Sequence, residues 1–309
     1  PLEFNTTRTS GVSANDSGLY ATARSNLIFS GLSVQVEHDG ALGLELANSA
    51  GFVFESGKIV ANGNGGNGIT TDLSDGTLRY STFSSPDLNN TPVAFSGLST
   101  VSASYITVTG ASSGVATGGG VGNEVTLTMD HATITATGDA LYSNEMSTIT
   151  VSDSTLTSTS TTSGTAAFVR YGIMSFSNCT LSSLGDSGGT YGAIHLLNAG
   201  GVGTVTLTLT NSTVLVRGGG ACIKGVNPAG IVTANLNGNT FKRMNSGSAG
   251  TDNCVQVGLA ANVINSTSNG NLFCYENAGK TFPAVLSGAH SGTFVTANQT
   301  FAGAIGACP

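Results

Sequence analysis

The chain has 309 residues, of which only 9% are charged, with 44 glycines, no tryptophan and a formal net charge of −7; an average soluble domain has about 25% charged residues. The acidic balance excludes bulk binding to nucleic acid, and no apolar run approaches the roughly 18 residues that cross a bilayer. Low charge with abundant Gly, Ser, Thr and Asn would suit a disordered chain, but 39% hydrophobic residues in regular alternation point to packed β-structure.

In chain order, residues 1–17 show no repeat and are read as an N-terminal cap or tag-derived segment. From residue 18 an apolar anchor follows each polar corner, at Val34, Ile59, Phe83, Ile106, Ile134, Leu156, Leu181, Val214, Phe241, Phe273 and Phe301. A core period with variable insertions is the mark of a solenoid, because each coil closes at one place and spills its extra length into loops. Between anchors the period is two: Leu127 and Met129 alternate with Thr126 and Thr128, Ile149 and Val151 with Thr148 and Thr150, Leu207 and Leu209 with Thr206, Thr208 and Thr210. Such strands bury one face. The intervals leave no room for crossover helices, and no stretch has an apolar period of 3.6. Consecutive coils must therefore pair in parallel.

The predicted fold is all-β: a single-stranded right-handed parallel β-helix of about eleven coils over residues 18–301, without a domain break, closed by a C-terminal tail or cap at 302–309. The hand follows from the general handedness of parallel crossovers. At ~4.8 Å per coil the rod would be roughly 50 Å long. A second column of small-then-apolar starts, at Ala140, Ala167, Ala193, Ala221 and Ala284, with Asn253-Cys254 in the analogous place, sets the expected register. Asn237, Gly238, Asn269 and Gly270 are expected at corners, where positive φ is tolerated.

The phrase GDALYSNEMSTITVSDSTLTSTS, residues 138–160, resembles a coil of bacterial autotransporter passenger domains, the β-helical surface adhesins. The similarity runs from about residue 99 to 245. It implies an extracellular or bacterial outer-surface location and a role in adhesion and virulence. The partners it implies are a host glycan or an extracellular-matrix protein, with self-association as a further expectation. No cofactor and no membrane insertion by this segment are expected.

The rival reading is a polysaccharide lyase or glycoside hydrolase, chemistry that needs clustered carboxylates. The N-T-D, D-D and R-I-K phrases of polygalacturonases are absent. Asp130 and Asp153, from neighbouring coils at nearly matching positions and beside His131, are the best pair. Stacked, they would suit the about 5–5.5 Å of a retaining mechanism, although corner Asp residues commonly just form turns. The four His stand apart from any ligand cluster, and no cysteine spacing matches a metal site.

Cys222 and Cys254 fall at matching positions of successive coils, close enough for a disulfide, and equally suited to stacked buried thiols. Cys274 and Cys308 could tie the tail to the last coil, which leaves Cys179 as a buried thiol. Charge is unevenly spread. Residues 1–169 hold four Lys/Arg and fourteen Asp/Glu, while 170–309 hold six and three. Arg170 and Lys224 fall in equivalent places after the Ala column, and Arg217, Lys242 and Arg243 lie just after anchors. Stacking would gather these five into a basic patch able to bind an extended anionic or polar glycan; the alternative is scattered solubilising charge.

Overall fold

The computed structural model describes residues 3–6, 17–37, 39–87, 89–118, 122–144, 146–184, 191–197, 204–217, 220–226, 231–244, 254–257, 264–275, 284–286, 290–291 and 300–304, with side chains placed between 18 and 274. The chain divides into two compact units, 1–150 and 151–309. Regular structure among the described residues is entirely β-strand. The fold is a parallel β-helix in which every coil gives one strand to each of three parallel sheets.

In the first unit, the first sheet stacks Ser33–Val36, Lys58–Ala61, Thr82–Ser85, Thr107–Gly110 and Thr133–Ala136. Its inward column runs Val34, Ile59, Phe83, Val108 and Ile134 in register, and all five are buried. Each such side chain contributes about 1.5–3 kcal/mol of burial. The anchor expected at Ile106 is two residues early: Phe83 pairs with Val108, and Ile106, also buried, fills the corner instead. Two apolar residues of like spacing on either side of a turn cannot be told apart by period alone.

In the second unit the corresponding column is Leu156, Leu181, Val214, Phe241, Phe273 and Phe301, as the spacing predicts. Phe241 and Phe273 stack at 4.9 Å and 14°. The second sheet holds Ala167–Val169, Gly192–Leu197, Ala221–Val226 and Val255–Val257. Its register departs from the expected Ala column. Ala167 pairs with Ile194, which pairs with Ile223, while Ala221 pairs with Gly192. Ala193 thus lies one residue, and Ala221 two, before the residue that joins Ala167 in its column.

Corners between the third and first sheets are turned by one residue in left-handed backbone. In the first unit these are Gly31, Ser56, Tyr80, Tyr105 and His131; in the second, Asp153, Asn178, Asn211, Gly238 and Gly270. Gly238 and Gly270 thus lie at corners, and Asn237 and Asn269 end the strands before them. The corner N–H donates to the next coil, as from Tyr80 to Ser104 O at 3.1 Å and from Asn211 to Asn237 O at 3.0 Å. The residue after the corner is buried and often polar. The Ser212 N–H donates to Asn239 Oδ1 and the Asn239 N–H to Asn271 Oδ1, both at 2.9 Å. These side chains satisfy backbone that the turn takes out of the ladder. The expected end segments 1–17 and 302–309 lie largely outside the described residues.

Candidate functional site

The outer face of the second sheet in the second unit gathers rings and cations. Period-two alternation turns Val169, Ile194, Leu196 and Ile223 inward and the residues between them outward. Phe168, His195 and Lys224 then fall in one register column across three coils. Phe168 and His195 stack at 5.2 Å and 9°, and Tyr191 tilts against His195 at 5.2 Å. Arg170, two residues along from Phe168, lies with its guanidinium carbon 5.8 Å from the centre of the Tyr171 ring, within cation–π reach. Phe168, Arg170, Tyr191 and Lys224 are half-buried.

His195 is the floor of this face, 4% exposed. Burial, and then the charge of Lys224, lowers its pKa from 6.5 to about 4, so the ring is neutral at pH 7. Its Nδ1 is buried with no hydrogen-bond partner among the described residues. The face therefore offers aromatic surface over an uncharged imidazole, with cationic groups at Arg170 and Lys224.

The five expected basic residues do not form one patch. Arg170 and Lys224 share the second-sheet face, but Lys224 is in register with His195 and Phe168, not with Arg170. Arg217 and Lys242 belong to strands of the first sheet, Thr213–Arg217 and Thr240–Met244; Arg217 is exposed and Lys242 half-buried. Arg243 is 1% exposed. It follows Lys242 on the same strand, in the inward column of Ser183 and Val216. Neighbouring strand residues face opposite sides, so the Lys242–Arg243 doublet could never lie in a single surface patch.

The carboxylate pair is also redrawn. Asp130 is the last residue of the strand Val125–Asp130, and its Oδ2 lies 2.7 Å from His131 Nδ1. Asp153 is a corner residue with φ 46°, the place that His131 fills in its own coil, and accepts a hydrogen bond from Asn178 Nδ2 at 3.2 Å. Asp130 ends a strand and Asp153 turns a corner, so each holds a different place in its own coil. The structure joins Cys222 to Cys254, Cα atoms 4.6 Å apart. Cys274 is disulfide-bonded; its expected partner Cys308 lies outside the described residues. Cys179 keeps a buried thiol that donates to Ser177 O at 3.2 Å, taking the place that Ser212 holds in the next coil.

Sequence reasoning passed over Phe168, Tyr191 and His195. The available signal was alternation: an aromatic at an outward strand position, Phe168 between Ala167 and Val169, is not needed by the core. No protein-family model and no curated protein sequence matches the chain. One solved structure does share the architecture: the tailspike protein gp49 from Pseudomonas phage LKA1 aligns with a TM-score of 0.51 at 13% identity. The chain resembles a phage tailspike in fold. The alignment covers 90% of this chain and 50% of the tailspike chain, so this chain spans about half of that protein's length. At this identity the likeness concerns the β-helix alone.

Proposed function

We propose that the protein is a surface-exposed or secreted β-helix of adhesin type, akin to autotransporter passengers, that binds an extended acidic glycan along the second-sheet face of its second unit. The observation that carries this reading is the register column Phe168–His195–Lys224 with Arg170 beside it. Rings can pack against the C–H faces of sugars, and guanidinium and ammonium groups pair with carboxylate or sulfate. A ladder with rungs every ~4.8 Å sets side chains along an extended ligand, and many weak contacts sum.

The experiment is a glycan array with acidic and neutral polysaccharides and matrix proteins such as fibronectin, followed by product analysis on every glycan bound. Retention of acidic glycans without new reducing or unsaturated ends supports the proposal. New ends would assign the protein to the polysaccharide-degrading enzymes, and retention of matrix protein alone would move the ligand to another class.

A further inference from the structure

Three successive corners of the first unit carry Tyr80, Tyr105 and His131, with φ of 51°, 53° and 50°. Bulky side chains avoid this left-handed conformation, and the other corners of the column hold Gly, Ser, Asp or Asn. Core burial does not account for the rings, because Tyr80 is 60% and Tyr105 48% exposed. Unfavourable backbone held at a surface, with no core gained, is a mark of function.

The rings form a stack. Tyr80 and Tyr105 lie 5.1 Å apart at 15°, and Tyr105 and His131 4.6 Å apart at 19°. Tyr105 is thus covered on both faces and Tyr80 on one. Past Tyr80 the corner column continues with Ser56 and Gly31. Ser56 is small and exposed, and a Cβ added at Gly31 would meet nothing within 4 Å. Beside this open shelf, Arg79 and Glu55, the residues preceding Tyr80 and Ser56, pair through Arg79 Nη2 and Glu55 Oε2 at 2.6 Å. A flat ring face, vacant space one rung deep and a polar pair at its edge therefore occur on the same two coils.

We propose that this shelf binds one pyranose residue of an uncharged glycan. The sugar takes the place of the next rung. Its C–H face packs on Tyr80 and its hydroxyls donate to the Glu55 carboxylate and accept from the Arg79 guanidinium. The acidic first unit, with four Lys/Arg against thirteen Asp/Glu in residues 1–150, repels polyanions, and the Arg79–Glu55 pair is internally neutral, so an uncharged sugar fits and a nucleotide does not. The site is separate in residues and ligand charge from the face on the second unit.

Saturation-transfer NMR on the full chain tests it, with a panel of neutral gluco-, manno-, galacto- and xylo-oligosaccharides. Tyr80→Asn suits the corner as Asn178 and Asn211 do, and should melt at the wild-type temperature. The expected result is transfer to the C–H protons of a single sugar ring, weakened at least about tenfold by Tyr80→Asn and unchanged by Arg170→Ala/Lys224→Ala. If Tyr80→Asn does not fold, Glu55→Gln carries the test by a loss of affinity with the stack intact. No transfer to any oligosaccharide, or transfer indifferent to both substitutions, overturns the proposal. So does a dimer that Tyr80→Asn makes monomeric in the absence of sugar binding, which would assign the rings to contact with a second copy.

Discussion

Where the first unit turns its corners with Gly31, Ser56, Tyr80, Tyr105 and His131, the second uses Asp153, Asn178, Asn211, Gly238 and Gly270. The backbone demand is the same, yet three corners of the first unit meet it with bulky rings that resist left-handed φ, and those of the second with Gly, Asn or Asp, which accept it. The second unit goes further in the position after the corner, where Ser212, Asn239 and Asn271 form a buried ladder. Asn239 Nδ2 donates to Leu209 O at 2.8 Å and to Asn271 Oδ1 at 3.0 Å. It also holds every cysteine of the chain. The second unit is fastened at its corners and by covalent bonds, whereas the first places exposed rings at three of its corners.

The largest break in that comparison should come from reduction. The Cys222–Cys254 bond closes a 32-residue separation, worth about 3–4 kcal/mol by loop-closure entropy. Hydrogen exchange followed by mass spectrometry, with and without reductant, should show protection falling in the second unit and unchanged in the first. Equal loss in both units would contradict the assignment.

Acid should act next, and again on the second unit. The folded-state pKa of His195, about 4, lies below its ordinary 6.5, so folding favours the neutral ring. That stability is complete above pH 6.5 and is lost as pH falls toward 4, up to about 3 kcal/mol. His195→Phe, which can stack on Phe168 as the imidazole does, should flatten the part of the melting-temperature profile between pH 6.5 and 4 that is due to this ring. A profile identical to wild type would show that His195 is not buried neutral.

The smallest effect sharpens the corner comparison directly. An alanine at Gly238 must adopt φ 66° and place its Cβ 2.6 Å from Asn211 Oδ1, whereas one at Gly31 adopts φ 64° in open space. Both pay for left-handed backbone, about 1–2 kcal/mol; Gly238→Ala should cost more in chemical denaturation. Equal costs would mean that Asn211 moves aside without penalty.

The solenoid was legible because its signal is redundant. Val34, Ile59 and Phe83, then Leu156 through Phe273, repeat an inward position that a coil cannot vary without losing core. Register was legible only where the flanks differ. Ile106 misled because a second apolar residue, Val108, follows two positions later, and the Ala column misled because Ala166 and Ala167 adjoin. The site was legible in part. Arg170 and Lys224 could be singled out by charge, but which neighbours they meet depends on loop lengths between coils, which shift the pairing of Lys224 onto His195. Arg243 needed only the period-two rule, and the doublet obscured it.

Acidic-glycan binding is proposed for the Phe168–His195–Lys224 face with Arg170. The most direct measurement is calorimetric titration of a heparin-derived oligosaccharide into the wild type and into Arg170→Ala/Lys224→Ala, at low and at physiological salt. Exposed charge pairs contribute about 0–1 kcal/mol each and are screened. The expected result is modest affinity that weakens with salt and falls about tenfold in the double variant, with Arg243→Met, at a buried position, leaving the affinity of the folded protein unchanged. Binding of equal strength in wild type and double variant, or no binding at low salt, would contradict it.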